Sequence, residues 1–312
     1  MICYGNSVIQ ILLHLSLFRS QMMSIFTEIQ TSKKKEKLKS TFTWSFVKWF
    51  TEIMKVRNGT LNIASIMKDI GAFNEDYKSL EQQDAQEFMQ WIFNQLSEEI
   101  RKHSLTDIIT STFEGKTLAT TKCMYCEKVT SVEEAFMFLS LEIERCTSLT
   151  DAINHKFLAI ENLNHDNKFF CKDCATYQEA EKMCSFKKLP VILIIQFKRF
   201  RYEAHQFRKL DYQIQFPFEI RIPSSQQEQT VKPSLYVLSG IIMHIGHGIQ
   251  AGHYYSIIRI GDKWVEFDDT RVREMKKEHM EALVECKLGT ESGGSTCPYI
   301  LVFTIAEHTK RN

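Results

Sequence analysis

Four of the nine cysteines form two Cys-x-x-Cys pairs, a spacing that is typical of metal sites. The first pair is Cys123 and Cys126, the second is Cys171 and Cys174, and 44 residues lie between the pairs. A two-residue spacer lets one tight turn present two thiolates to one ion, and Zn²⁺ takes four thiolates in a closed tetrahedral site. The spacing therefore predicts a structural zinc site at the tips of two hairpins. The competing interpretation, four unrelated buried thiols, requires both spacings to be accidental.

A second group of residues could perform nucleophilic catalysis. Cys3 precedes a predicted helix that begins near Asn6, and the helix dipole favours the thiolate form of a cysteine at a helix N-terminus. A histidine that takes the thiol proton and an acid that orients the imidazole would complete a thiol hydrolase. His253 and Asp268, late in the chain, are candidates for these roles. In an arbitrary chain, a lone cysteine at this place is more often a small apolar residue.

The sequence around His253 predicts a β-hairpin that would bring the histidine and the acid together. Gly261-Asp262 is a typical two-residue turn between two segments of alternating polarity. With this turn, His253 and Asp268 are diagonal neighbours on one face, about 7–8 Å apart along the backbone, and Asp269 points to the other face. The register selects Asp268 as the orienting acid, whereas a β-bulge would exchange the two aspartates.

The elements that must position these residues change type near residue 110. Before it, apolar residues recur at helical spacing, and the strongest pattern predicts a helix from Ser79 with Gln82 in a capping box. Asp84 and Glu87 would share a solvent-facing side near the start of this helix. Beyond residue 110, alternation predicts strands over 111–120, 136–143, 191–200, 214–222, 236–243, 253–260 and 263–267, with loops at 223–233 and 246–252. The pattern predicts an α+β fold.

Composition excludes several functional classes. The chain has 312 residues and a formal net charge of +1, from 39 Lys and Arg against 38 Asp and Glu. This balance argues against a general binder of nucleic acid or of a membrane surface, because such binding needs a basic excess. We find no uninterrupted apolar stretch near the roughly 18 residues of a membrane span. The odd cysteine count, without a signal-like segment, predicts a reducing intracellular location, cytoplasmic or nuclear.

Five segments match the motifs of a known family in the family's order: residues 3–10, 82–88, 189–200, 252–254 and 264–269. They resemble the cysteine box, the glutamine-aspartate box, the Leu-Pro to Lys-Arg-Phe strand and the histidine box of the ubiquitin-specific proteases, which are papain-like cysteine deubiquitinases. The resemblance implies a single catalytic domain over 1–312, shaped like a right hand. A helical thumb (1–110) would be followed by zinc-tipped β fingers (mainly 111–185) and a β palm (mainly 186–312).

The same resemblance implies roles for individual residues. Cys3 would be the nucleophile, His253 the base and Asp268 the third catalytic residue. Asp84, with Glu87 beside it, would bind an arginine of the ubiquitin tail.

A narrow channel that admits only a Gly-Gly tail would be lined by His244, Gly252 and Tyr254. His244 is equally compatible with an ordinary strand histidine whose hydrogen bonds are satisfied.

The similarity is greatest to small members of the family that are activated by a WD40-repeat partner docked on the fingers. One feature departs from the pattern: only two residues precede Cys3, so the asparagine that serves the family as an oxyanion donor is missing. Losing one such donor costs about 10²–10³ in turnover. We expect a deubiquitinase whose sequence here is incomplete. The alternatives are a weakened ubiquitin-binding pseudoenzyme and a zinc-dependent interaction module unrelated to ubiquitin.

Overall fold

The computed structural model describes residues 2–55, 63–79, 81–203, 206–223, 233–246, 248, 252–287 and 296–309. The two predicted loops, 223–233 and 246–252, lie mostly outside the described residues.

Helices form the first part of the described chain. They are α1 (Cys3–His14), α2 (Ser16–Thr31), α3 (Lys35–Leu38), α4 (Phe42–Met54), α5 (Ala64–Phe73), α6 (Ala85–His103) and α7 (Ile108–Phe113), with a 3₁₀ turn at Glu75–Tyr77 before α6. Every side chain of α1 from Cys3 to Leu13 is buried, so this helix is the centre of the helical part.

A sharp break separates the first two helices. The chain is extended at Leu15, and α1 and α2 meet there at 86°. In the described part of the chain, only this bent pair has the combined length and apolar character of a membrane span, and no single helix has it.

The start of α6 differs from the predicted capping box. The helix begins at Ala85, and the Asp84 carboxylate caps it by accepting hydrogen bonds from the backbone N–H groups of Gln86 (2.7 Å) and Glu87 (3.2 Å). Ser79 instead accepts a weak 3.4 Å bond from the backbone of Glu81 within the preceding turn. Aspartate is as good an N-cap as serine, and here it directly precedes the apolar face of the helix, which fixes the boundary.

Strands dominate the rest of the chain. They are β1 (Gly115–Cys123), β2 (Val129–Phe136), β3 (Phe138–Leu141), β4 (Glu161–Leu163), β5 (Phe169–Cys171), β6 (Thr176–Gln178), β7 (Ala180–Lys188), β8 (Ile192–Phe197), β9 (Phe200–Glu203), β10 (Gln206–Lys209), β11 (Glu219–Ile222), β12 (Ser234–Ile245), β13 (His253–Ile260), β14 (Lys263–Asp268), β15 (Arg271–Met275) and β16 (Thr296–Ile305). Between them lie α8 (Leu149–Asp151) with a following π-helical turn (Ala152–Phe157), α9 (Lys277–Val284) and α10 (Ala306–Thr309).

Two of the predicted strands are shorter in the structure. The segment predicted over 111–120 starts as helix α7, capped by the Asp107 side chain on the backbone of Thr110, and becomes a strand only at Gly115. The segment predicted over 214–222 pairs only as β11, from Glu219. Pro217 lacks a backbone N–H for a sheet ladder, which explains the late start.

The strands form two main sheets with different exposure. A four-stranded sheet in the order β2-β1-β7-β4 carries Cys123 at the end of β1, and its edge strand β2 is almost fully exposed, whereas Cys171 ends β5 in a separate two-stranded sheet with β6. An eight-stranded sheet has the order β15-β14-β13-β12-β16-β8-β3, with β11 added to β12. We call these the fingers sheet and the palm sheet, and the part formed by α1 to α7 the thumb.

The palm sheet is buried on both faces, and one of these faces packs against the thumb. Side chains alternate along β12, so that Ile242 packs into the cluster formed with the thumb helices, while Ile241 packs into a second cluster with α9 residues such as Leu283. Helix α1 lies directly on β13. The first residue of a buried helix is therefore brought to the first residue of a central strand.

Candidate active site

Cys3 is the first residue of α1, which begins three residues before the predicted start near Asn6 and still places the thiol at the helix N-terminus. Its thiol is buried with 1% exposure, and its backbone carbonyl accepts a 3.0 Å hydrogen bond from the Ser7 hydroxyl. The first intrahelical bond is donated by Asn6 to Ile2. The N–H groups of the first turn, including that of Cys3, consequently have no intrahelical acceptor and give this end of the helix a positive partial charge.

The hairpin formed by β13 and β14 has the predicted register. Ile260 pairs with Lys263 and Ser256 with Phe267, and Gly261 takes a φ of +60°, which a two-residue turn requires. His253 and Asp268 thereby come into contact, with 2.5 Å between His253 Nε2 and an Asp268 carboxylate oxygen.

The electrostatics of His253 favour its protonated form. A hydrogen bond with the Cys3 side chain is the largest influence, and together with Asp268 it outweighs burial and raises the pKa of His253 to about 9. Because Nε2 is engaged by Asp268, Nδ1 is the ring nitrogen that is left for the thiol of Cys3. The geometry is that of a thiol beside an imidazole that a carboxylate orients.

Asp269 departs from the sequence expectation that it points away from the histidine. Strand β14 ends at Asp268, and Asp269 adopts a left-handed φ of 50°. The alternation of strand side chains stops there, and one carboxylate oxygen of Asp269 lies within 4.8 Å of the facing atoms of both His253 and Asp268. A second acid therefore stands beside the histidine, which strand periodicity could not predict.

Asp84 does not lie on a solvent-facing side, contrary to the sequence expectation. It is only 5% exposed, and its second oxygen accepts hydrogen bonds from the hydroxyls of Tyr299 (2.6 Å) and Tyr254 (3.4 Å). Burial raises the pKa of Asp84 despite these bonds. Glu87 is exposed as expected. Partial loss of hydration, followed by the nearby charge of Asp84, raises the pKa of Glu87.

A cavity of about 230 Å³ opens beside Asp84 between the thumb and the palm. Glu87, Gln196 and Tyr299 contribute to its walls. The Gln196 amide donates to the Tyr299 hydroxyl (2.9 Å), which in turn donates to Asp84. Tyr299 and Gln196 were not predicted as site residues. No sequence pattern pairs either of them with Asp84, because both are far from it along the chain.

His244, Gly252 and Tyr254 lie together next to this cavity. The rings of His244 and Tyr254 are 4.7 Å apart, and His244 is fully buried with no hydrogen-bond partner for either ring nitrogen among the described residues. Burial, followed by the charges of Lys209 and Arg199, lowers the pKa of His244 to about 3, so this ring is neutral. A Cβ atom on Gly252 would lie 2.4 Å from His244 Nε2, so only glycine fits there.

The four predicted metal ligands converge at the tip of the fingers. Cys123 and Cys126 lie at the turn after β1, and Cys171 and Cys174 lie at the turn after β5. The four Sγ atoms all lie within 4.8 Å of one another. The Sγ atoms of Cys126 and Cys171 are 3.6 Å apart. Four sulfurs at about 2.3 Å from one Zn²⁺ in a tetrahedron would be separated by about 3.8 Å, so the cluster fits zinc.

Comparison with known proteins gives consistent matches along the chain. The family model described as ubiquitin carboxyl-terminal hydrolase matches residues 1–303. Probable ubiquitin carboxyl-terminal hydrolase 9 of Schizosaccharomyces pombe is 37% identical over 244 residues, covering 75% of this chain and 41% of that protein. Ubiquitin carboxyl-terminal hydrolase 4 of Arabidopsis thaliana is 28% identical, covering 96% of this chain and 90% of that protein. The chain thus spans less than half the length of the first relative and most of the second.

Solved structures give the same fold. The SAGA Ubp8/Sgf11/Sus1/Sgf73 DUB module bound to ubiquitin aldehyde includes a chain with a TM-score of 0.78 and 26% identity, covering 97% of this chain and 67% of that chain. The same module bound to monoubiquitin matches with a TM-score of 0.78 and the same identity and coverage.

Proposed function

The chain belongs to the ubiquitin carboxyl-terminal hydrolase family, a family of cysteine-type hydrolases, and we propose that it hydrolyses the peptide or isopeptide bond after the C-terminal glycine of ubiquitin. The observation that carries this proposal is the meeting of three residues from distant parts of the chain. Cys3 begins the buried helix α1, His253 begins β13, and Asp268 ends β14 with its carboxylate 2.5 Å from the imidazole.

The proposed reaction proceeds through a thioester on Cys3. His253 Nδ1 accepts the thiol proton, and the thiolate attacks the carbonyl carbon of the terminal glycine. Backbone N–H groups at the start of α1, which lack intrahelical acceptors, would donate to the oxyanion. The imidazolium then protonates the leaving amine of the substrate lysine, and water activated by His253 hydrolyses the thioester. Asp268 holds the imidazole in the required tautomer throughout.

The acidic side chains Asp84 and Glu87 at the cavity between thumb and palm support recognition of a basic protein tail. We propose that Asp84, with Glu87 at the cavity wall, binds an arginine of the ubiquitin tail through charge-assisted hydrogen bonds. His244, Gly252 and Tyr254, which pack against one another immediately around His253, would form the narrow channel for the two terminal glycines.

The cysteine cluster supports a structural Zn²⁺ held by Cys123, Cys126, Cys171 and Cys174. All four ligands come from the protein, so the metal would have no open position and its chemistry would be to crosslink two hairpin tips. The reducing environment needed by this cluster and by a thiolate nucleophile favours an intracellular protein, in the cytoplasm or the nucleus.

We also propose that the chain forms one hand-shaped catalytic domain.

We further propose that a WD40-repeat partner docks on the fingers of this domain. Apolar side chains are exposed on the fingers, including Val129 and Val132 on the edge strand β2, and Tyr125, Phe170 and Tyr177 near the cysteine cluster. Exposed apolar residues grouped on one lobe are typical of a protein interface.

Reaction with ubiquitin that carries a C-terminal electrophile tests the catalytic proposal. We expect one covalent adduct, located on Cys3 by peptide mass spectrometry, and no adduct with Cys3→Ala. Cys146→Ala, which changes a buried cysteine outside the site, serves as the matched control and should react normally. Ubiquitin binding without hydrolysis, unchanged in Cys3→Ala, would instead identify a non-catalytic ubiquitin-binding protein.

A further inference from the structure

One side chain of the thumb is hydrogen-bonded to the palm immediately before the catalytic histidine. The backbone N–H of Gly252 donates to Gln82 Oε1 over 3.1 Å, although the two residues are 170 positions apart in sequence. Gln82 is two residues before Asp84, and Gly252 is one residue before His253. The bond therefore connects the segment that carries the tail-binding acid to the segment that carries the imidazole.

Gly252 is held from its other side by β12. A Cβ atom added to Gly252 would lie 2.5 Å from the carbonyl oxygen of Ile245 and 2.4 Å from the His244 ring, so the backbone of Gly252 is pressed against that strand. The ladder between β12 and β13 reaches only to the pair Ile245 and His253. Gln82 thus supplies the hydrogen bond that fixes the residue just beyond the end of the ladder.

The Gln82 amide has no competing role among the described contacts. Its Nε2 is buried without a hydrogen-bond partner in the described part of the chain, so the side chain is placed by its oxygen alone. The adjacent Gln83 points elsewhere, because its Nε2 donates to the carbonyl of Asp76 over 3.2 Å. A buried amide with an unused donor costs free energy, which suggests that the contact made by its oxygen has a use.

We propose that Gln82 is a positioning residue whose Oε1 fixes Gly252 and thereby sets the approach of His253 to the Cys3 thiol. This inference rests on the proposed thiol chemistry of the site. It predicts that loss of the acceptor lowers the rate of the chemical step, because a small displacement of a catalytic base is costly. Binding of the ubiquitin tail, which depends on Asp84, should change less.

The test compares substitutions at two adjacent glutamines with a fluorogenic ubiquitin substrate. Gln82→Met removes the acceptor at nearly constant volume and should lower kcat about tenfold with a smaller change in KM. Gln82→Asn, which is too short to reach Gly252, should behave like Gln82→Met and covers the case in which the methionine variant fails to fold. Gln82→Glu keeps an acceptor oxygen and should restore most of kcat. Gln83→Met is the matched control and should match the wild type.

A second measurement does not depend on ubiquitin. The rate of Cys3 alkylation by iodoacetamide, followed on the Cys3 peptide from pH 5 to 9, reports the thiolate-imidazolium pair. We expect Gln82→Met to reduce the reactivity near neutral pH, while Gln82→Glu and Gln83→Met retain it. A Gln82→Met protein with wild-type kcat and a wild-type alkylation profile would overturn the inference. If the wild type does not hydrolyse ubiquitin but its alkylation depends on Gln82, the inference stands and the proposed function fails.

Discussion

Asp84 has two structural tasks at once, which makes its charge separable from its capping role. One oxygen caps α6, and the other accepts from the Tyr299 and Tyr254 hydroxyls at the wall of the cavity. The cap needs one acceptor oxygen, which asparagine retains, and the other oxygen would become an amide NH₂ from which the tyrosine hydroxyls can accept. Only the binding of a cation requires the negative charge.

Substitution Asp84→Asn should therefore weaken ubiquitin binding without unfolding the protein. Asparagine is an equally good N-cap, whereas loss of a charge-assisted hydrogen bond costs about 1.5–3 kcal/mol, or roughly 10- to 150-fold in Kd. Calorimetric titration with ubiquitin measures the affinity, and thermal unfolding checks the cap. Asp107→Asn, at the cap of α7, is the control for capping alone. Equal affinity for Asp84→Asn and the wild type would contradict the proposed role.

The raised pKa of His253 makes a prediction about pH. A group whose pKa rises from 6.5 to about 9 on folding stabilises the folded state fully below about pH 6.5, and this contribution is lost as the pH rises through about 9. The difference in free energy of unfolding between wild type and His253→Gln should shrink across this range. Denaturant titrations at several pH values measure it. Since Cys3 is the largest cause of the shift, Cys3→Ala should move the NMR titration of His253 to lower pH, and an unmoved titration would contradict the assigned cause.

At the scale of elements, the connection from β12 to β13 depends on the close approach of Gly252 to His244. Substitution Gly252→Ala places a methyl group 2.4 Å from His244 Nε2 and 2.5 Å from the Ile245 carbonyl, so the backbone before His253 must move. We expect a loss of kcat of about 100-fold, because the base is displaced from the thiol. Gly248→Ala is the matched control in the same connection, since no atom of the described residues lies within 4 Å of its Cβ position. Similar activity of both variants would show that the connection is more adaptable than its packing indicates.

The fingers sheet is a separate element whose tip the proposed Zn²⁺ would stabilise. The hairpin tips at Cys123 and Cys171 bring four free thiol groups together, so Zn²⁺ bound there would supply much of the folding free energy of this tip. Cys171→Ala should abolish the binding of about one zinc per chain, as measured by elemental analysis. Cys184→Ala changes a cysteine of the fingers strand β7 that is outside the cluster, and it should retain the metal.

Cys3 alkylation by iodoacetamide separates the fingers from the active site. Helix α1 lies on β13 in the palm sheet and not on the fingers sheet, so both cysteine variants should retain wild-type alkylation of Cys3. Normal zinc content in Cys171→Ala would rule out the four-cysteine site.

At the scale of the whole molecule, a buried arginine connects separate parts of the palm. Arg199 is 0% exposed, and it donates to the backbone carbonyls of Pro298 (2.7 Å), Leu210 (2.9 Å) and Tyr212 (2.9 Å). These acceptors belong to β16 and to the segment that follows β10. The guanidinium fork therefore joins three chain segments, the one that carries Arg199 and the two that supply the acceptors.

Substitution Arg199→Lys should destabilise the protein by about 2 kcal/mol or more, because one ammonium cannot reproduce the fork and leaves buried carbonyls without donors. Chemical denaturation measures the loss. Arg221→Lys, at an exposed position of β11, is the control and should lie within about 0.5 kcal/mol of the wild type. Equal stability of the two variants would show that lysine satisfies the same carbonyls.

Much of the candidate site was predictable from local sequence patterns. The Cys-x-x-Cys spacing predicted the convergence of four thiols, and the two-residue turn at Gly261 predicted the register that brings Asp268 to His253. Both predictions succeed because they depend on short-range geometry, namely the reach of a tight turn and the period of a strand. The prediction for Asp269 was wrong because it relied on the strand period continuing. That period ends where Asp269 itself takes a positive φ.

The sequence by itself determined the residue types, the change from helices to strands near residue 110, and the family to which the chain belongs. Only the tertiary structure decided that Asp84 is buried against Tyr299, that Gln82 reaches Gly252, and that Arg199 joins three segments. These contacts connect residues that are far apart in sequence. The first two arise where the thumb packs against the palm, and the third arises within the palm. No spacing rule encodes such contacts, because they depend on how whole elements pack and not on the period within one element.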